Sequence, residues 1–219
     1  ILITVLTLSG SAGAVNPFSM VPDSLLPSGF PKVRITKSSN PAPGNYFIAP
    51  FGSWGMFMDI TPHLAIVSNF GEVLYFKKIN HVFINDFKLQ PDGHITYAGG
   101  NAVRHYIMNE KMQVVDSIRP DGYWVDFHEV ILREDSTKFL LGIDVRSVDM
   151  SQIVPGGQED ATVVGHVIQE MDADNNVIFE WNTWDHFDIL DVSDWIDLTA
   201  SSFDVAHVNT IEIDTDTTM

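Results

Sequence analysis

Asn85-Asp86-Phe87-Lys88-Leu89-Gln90-Pro91-Asp92-Gly93-His94-Ile95-Thr96-Tyr97 is the stretch that decides the fold. Apolar side chains recur at short spacing, Pro91-Asp92-Gly93 makes a turn, and Ile95-Thr96-Tyr97 resumes with β-formers. This reads as strand, turn, strand. The same form returns in Asp126-Phe127-His128-Glu129-Val130-Ile131-Leu132-Arg133-Glu134-Asp135-Ser136 followed by Lys138-Phe139-Leu140-Leu141, and again in His207-Val208-Asn209-Thr210-Ile211-Glu212-Ile213-Asp214-Thr215-Asp216. With Asp92, Asp135 and Asp216 taken as equivalent turn positions, the spacings are 43 and 81 residues.

A second hairpin precedes each of these: Ile66 to Phe76, Tyr106 to Val115, and Val167 to Trp181. Hairpin, loop, hairpin gives four strands in about 43 residues, the size of one β-propeller blade. The expected fold is therefore all-β, a β-propeller of which about three blades are present. A β-sandwich with irregular loops is the alternative. Two polar insertions, Arg146–Gly165 and Trp184–Asp204, account for the longer interval and are expected to project from one face, where binding loops sit.

The ends are read separately. Residues 1–30 form an N-terminal extension and residues 31–219 a partial propeller. Ile1 to Leu8 is either a β-strand or the remnant of a signal peptide ending in the small residues around Ala12 and Ala14. Val208 to Ile213 reads as a strand and Asp214 to Thr217 as the turn after it. The chain stops at Met219, where the partner strand is expected, so a fragment of a longer protein is expected.

Composition narrows the function. The 219 residues are 45% hydrophobic and 11% aromatic, which is globular and not disordered composition. Twelve basic against 29 acidic residues give a net charge of −17, which argues against nucleic acid or an anionic membrane as partner. The absence of cysteine excludes a disulfide scaffold, a thiolate zinc site, an iron–sulfur cluster and a cysteine nucleophile. The chain has no phosphate-binding glycine loop, no dinucleotide fingerprint, no G-x-S-x-G elbow and no H-E-x-x-H.

Against the turn aspartates, the position seven residues upstream holds Asn85, His128 and Asn209, and the position nine upstream holds Phe83, Asp126 and His207. Residues two apart share a strand face. His and Asn recurring at one register of an otherwise apolar strand point to an anion-binding or proton-transfer site, with His128 and His207 its principal members. The bland alternative is buried polar residues satisfied by backbone. Asp126 orients His128 or caps the strand. Asp185 and His186 have metal-ligand spacing but sit in an aromatic-rich loop that reads as packing. Asp172-Ala173-Asp174-Asn175-Asn176 lacks the glycine and the closing glutamate of a calcium loop, with Val177 and Thr183 in their places, and reads as a hairpin turn. His63, His81, His94, His105 and His166 read as surface or turn residues.

Asp126-Phe127-His128-Glu129, the hairpin Gln169-Glu170-Met171-Asp172 to Val177-Ile178-Phe179-Glu180-Trp181, Trp184-Asp185-His186-Phe187 and His207-Val208-Asn209-Thr210 together resemble bacterial arylsulfate sulfotransferases, from about Pro31 to the end of the chain. The resemblance implies a six-bladed propeller exported to the periplasm or beyond. It also implies transfer of a sulfuryl group from a phenolic sulfate ester to a phenol through a sulfated histidine, without a nucleotide sulfate donor or other cofactor. It makes His128 a supporting histidine and His207 with Asn209 the H-x-N element. It leaves the attacking histidine and an arginine to later blades, so this chain alone is expected to be inactive. Homodimeric assembly is compatible with it. Two other readings stand beside it: a non-catalytic propeller for binding or adhesion, and a metal-dependent propeller lyase or hydrolase.

Overall fold

A computed structural model describes residues 20–31, 33–50, 62–80, 83–100 and 103–214. The expected N-terminal strand or signal remnant, His81 and the turn around Asp216 lie outside these residues. The chain divides into two compact units, one built from residues up to Leu89 with Gly93–Asp116, the other from Gln90–Asp92 with the residues from Ser117 onward.

The first unit starts with a three-stranded antiparallel sheet ordered β1-β2-β3, formed by Asn45–Ile48, His63–Ser68 and Val73–Lys78. Its second sheet begins with β4 (Ile84–Leu89), β5 (Ile95–Gly99) and β6 (Arg104–Met108) and is completed by β7 (Val114–Ile118), a meander in sequence order. Leu64 and Ile66 of β2 are fully buried in one core with Ile84 and Phe87 of β4, Tyr97 of β5 and Met108 of β6. Residues 21–30 pack on the first sheet: Phe30 joins a small core with Ala65 and Val73, and the Val21 N–H donates to the Val73 carbonyl at 2.7 Å.

The second unit holds a longer meander, β8 (Trp124–Leu132), β9 (Lys138–Val148), β10 (Ala161–Met171) and β11 (Val177–Asn182), in the order β11-β10-β9-β8. A one-turn helix α1 (Thr183–His186) follows, and β12 (Ser202–Asp204) returns to pair parallel with β10. The structure is thus all-β and almost wholly antiparallel, but the hairpins group otherwise than expected: Asn85 to Tyr97 shares a sheet with the Tyr106 to Val115 hairpin that follows it and not with Ile66 to Phe76 before it, and β8-β9 likewise joins the Val167 to Trp181 hairpin that follows. Among the described residues no helix is long and apolar enough to cross a membrane.

One turn recurs in four hairpins. In 68–72, 109–113, 133–137 and 172–176 the first residue's N–H donates to the fifth residue's carbonyl, and the fourth residue's N–H donates back to the first residue's carbonyl. The fourth residue has positive φ: Gly71 84°, Met112 60°, Ser136 69° and Asn175 65°. This is a turn closed by one left-handed residue, whose twist matches the strands it joins. Asp172 Oδ1 accepts from the N–H groups of Asp174 and Asn176 at 2.9 and 2.8 Å, so this aspartate is committed to the turn.

Several expectations are corrected. The ends of the insertion Arg146–Gly165 are strand, since β9 runs on to Val148 and β10 begins at Ala161. The two insertions share a small core. Met150, Val154, Ala161 and Val163 pack against Ile189, Val192, Ile196, Leu198 and Phe203, because both segments carry apolar residues among their polar ones. Val208 to Ile213 carries no strand, having no ladder partner among the described residues. His63, His105 and His166 are neither surface nor turn residues. They lie within β2, β6 and β10 and are 1%, 0% and 1% exposed, since neighbouring β-branched and aromatic residues carry them into the sheets.

Candidate functional site

The site lies in the second unit, where β8 is irregular. Val125 pairs with Gly142 and Val130 with Leu140, so Asp126 to Glu129 bulge out opposite Leu141 alone. Asp126 fixes the bulge from inside. Its Oδ1 accepts the His128 backbone N–H at 2.8 Å and lies 2.6 Å from His128 Nδ1. β4 has an irregularity at the same register, between Asn85 and Lys88, with Asp86 at φ 48°.

β10 brings in a second histidine. Val163, Val164, Val167 and Ile168 favour strand on both sides of His166, and Thr183 Oγ1 accepts the His166 N–H and donates to the His166 carbonyl, both at 2.8 Å. His166 Nε2 lies 3.3 Å from the second oxygen of Asp126. Gly165 beside it is needed as glycine, since a Cβ there would stand 2.4 Å from Trp184 Nε1.

β12 and the segment after it complete the group. Asp204 Oδ1 faces His166 Nδ1 at 3.9 Å, and Asp204 Oδ2 lies 2.8 Å from His207 Nδ1. The Thr210 hydroxyl donates to Glu129 at 2.8 Å and ties this segment to the β8 bulge. The His207 ring therefore meets His128 edge-on at 5.4 Å and His166 at 5.1 Å. Three imidazoles and two carboxylates form a closed ring in the order His128, Asp126, His166, Asp204, His207, closed by the direct contact of His207 with His128. Asp126 and His166 form its buried floor at 1% exposure each, and the His207 side chain, 49% exposed, forms its rim.

Electrostatics hold Asp126 ionised. Burial alone would push its carboxyl up, but the hydrogen bonds from His128 and His166, the His128 backbone N–H and the His128 charge take it well below the ordinary carboxylate range. Burial likewise pulls the His166 imidazole down, yet the Asp126 hydrogen bond and the charges of Asp204 and Asp126 leave it raised. A carboxylate only accepts, so Asp126 takes the Nδ1 proton of His128 and the Nε2 proton of His166. When neutral, the rings hold lone pairs at His128 Nε2 and His166 Nδ1. The ring can store and pass protons and can present N–H groups to an anion.

His128 and His207, singled out by register, are brought together here, and Asp126 orients two histidines and not one. Asn209 is exposed, and Asn85 belongs to the first unit. His186 stacks flat on Trp181 at 5.1 Å, in keeping with the packing reading of that loop. His166 and Asp204 escaped the sequence reading. Their signal was an imidazole inside the β-branched run Val163 to Ile168, and an aspartate one helical turn's distance before His207.

No family model matches the chain, and no curated protein matches it. Among solved structures it is similar to a protein of unknown function from Bacteroides caccae, at 15% identity and a TM-score of 0.44, over 66% of this chain and 47% of that one. The match thus spans about half the length of that solved chain.

Proposed function

We propose that the ring is the sulfuryl-handling part of an arylsulfate sulfotransferase of the β-propeller type, acting on a phenolic sulfate donor and a phenol acceptor, and exported to the periplasm or beyond. The observation that carries this reading is the approach of His128 and His207 to 5.4 Å, each imidazole oriented through Nδ1 by its own carboxylate. Both were singled out from sequence alone, at positions two apart on one strand face, and both belong to the stretches that resemble the sulfotransferase family. The two four-stranded meanders, repeating at about 43 residues, support their reading as blades.

The chemistry follows from the ring nitrogens. A sulfuryl group in transfer carries negative charge on its oxygens, which imidazolium N–H groups stabilise where they are held in place beforehand. With Nδ1 engaged by carboxylate, Nε2 of His128 and of His207 is the free nitrogen. Protonated, it donates to a sulfuryl oxygen or to the departing phenolate, whose pKa near 10 makes it a moderate leaving group. Neutral, it accepts the proton of the incoming phenol. Asp126 keeps the His128 ring from turning. The attacking histidine and the arginine implied by the resemblance are assigned to no residue of this chain.

The test is transfer from 4-nitrophenyl sulfate to phenol by the intact protein, followed as nitrophenolate release that depends on added phenol, with phenyl sulfate identified by mass. Phenol-dependent release is expected. Release that ignores phenol, or none across a range of phenolic donors, contradicts the reading and leaves the binding module in its place.

A further inference from the structure

His166 Nδ1 and Asp204 Oδ1 face one another across 3.9 Å, both atoms buried and neither in a well-formed hydrogen bond, with the Ala206 backbone also acting on the His166 ring. That separation is too long for a hydrogen bond. Polar atoms shielded from water without well-formed hydrogen bonds cost free energy that folding normally avoids. A cation between them removes the cost. One ligand atom each from His166, Asp204 and His207 lies within 4.8 Å of the others. Metal–nitrogen and metal–oxygen bonds of 2.0–2.2 Å put neighbouring tetrahedral ligands roughly 3.3 Å apart, within reach of small rotamer shifts at the exposed His207.

We propose that His166, Asp204 and His207 form a binding site for one divalent cation of the zinc class. The donor set is two imidazoles and one carboxylate with no thiolate, the composition of sites that keep a position open. The shell behind it is in place: His166 gives its other ring N–H to the buried carboxylate of Asp126, the carboxylate–histidine–metal arrangement that fixes tautomer and ring orientation. Charge favours it as well, since Asp126 and Asp204 bring two carboxylates to one small volume. An entry path exists on the His207 side, where the ring is open to solvent. Binding requires only that His207 turn its ring from Asp204 or ligate through Nε2. The inference goes beyond sulfuryl transfer and does not depend on it, because metal is read without any sulfate ester.

The experiment is equilibrium dialysis of the chelator-stripped protein against zinc chloride with metal analysis, together with the visible absorption of the cobalt(II) form. One zinc per chain is expected, with the intense bands of low-coordinate cobalt. Because His166→Ala removes a buried side chain and can unfold the unit, the informative variants are His207→Ala and Asp204→Asn at the accessible side. Each is expected to weaken zinc binding at least ~100-fold with the far-UV circular dichroism spectrum unchanged, and Asp126→Asn ~10–100-fold. His186→Ala, in the Trp181 stack, is expected to leave affinity unchanged. Absence of stoichiometric zinc, or zinc that survives both His207→Ala and Asp204→Asn, overturns the site whatever the transfer assay shows.

Discussion

Asp126 Oδ2 lies 3.3 Å from Nε2 of His166, a contact between two strands of one sheet with β9 between them, in which each side chain is 1% exposed. With Oδ1 on His128, this single carboxylate sets the orientation of two imidazoles, and the rest of the site is built on it. Asp126→Asn removes the charge and turns an amide N–H toward one of the rings. Breaking a buried, hydrogen-bonded pair costs about 3–5 kcal/mol. We expect Asp126→Asn to lose about 3 kcal/mol in urea denaturation. A loss below about 1 kcal/mol would show that Asp126 is not the buried anchor of the ring.

Gln169 makes the matching prediction for the β10 scaffold. Its side chain is 2% exposed and holds both backbone groups of Asp121, accepting from the N–H at 2.8 Å and donating to the carbonyl at 3.0 Å, while a further bond reaches Glu180. Gln169→Ala strands these groups, at about 1–3 kcal/mol each for those left dry. The expected loss is about 2–3 kcal/mol with sulfuryl transfer and metal binding retained, checked by paired denaturation and binding curves.

Gly165 tests the close packing beside His166. Trp184 crosses it, donates from Nε1 to the Asp144 carbonyl at 3.2 Å, and carries the Arg146 guanidinium 4.7 Å from its ring centre. Gly165→Ala forces Trp184 off this position. We expect red-shifted tryptophan emission and about 2 kcal/mol of destabilisation, within the range for overpacking. Unchanged emission would contradict the contact.

The first unit carries a pH prediction. Burial first, and then the charges of Tyr106 and Tyr75, push the Tyr97 phenol up to about 12, and its ring stacks on Tyr106 at 5.0 Å. In the unfolded chain tyrosine ionises near 10. Between about pH 10 and 12 the unfolded state therefore releases a proton that the folded state keeps, so stability is constant below this window and falls as pH rises through it. The total loss from Tyr97 is about 3 kcal/mol. Tyr97→Phe is expected to flatten the dependence of the urea midpoint on pH above 10; an unaltered slope would place the phenol in water.

The sheets were legible because their signal is local. Alternating apolar residues and turn residues mark hairpins such as Asn85 to Tyr97 without knowledge of anything distant. The shared turn was only half legible: Gly71 and Asn175 are residue types that favour positive φ, whereas Met112 and Ser136 adopt it because the strands on either side demand it. His128 and His207 stood out against apolar registers. His166 did not, since a histidine within a β-branched run acquires meaning only from Asp126 and Asp204, which pairing across β8, β9, β10 and β12 brings to it. The apolar residues of the two insertions were diluted by polar neighbours, so the small core they share was visible only once both were folded.

The most direct test of the central claim is sulfuryl transfer from 4-nitrophenyl sulfate to phenol by His207→Asn and His128→Asn variants of the intact protein, measured beside their melting temperatures. The account predicts a loss of at least ~100-fold in kcat/KM for each, as for removal of an acid–base group, with melting temperature nearly unchanged for the exposed His207. Transfer retained within a few-fold in both variants, with the fold intact, would contradict it.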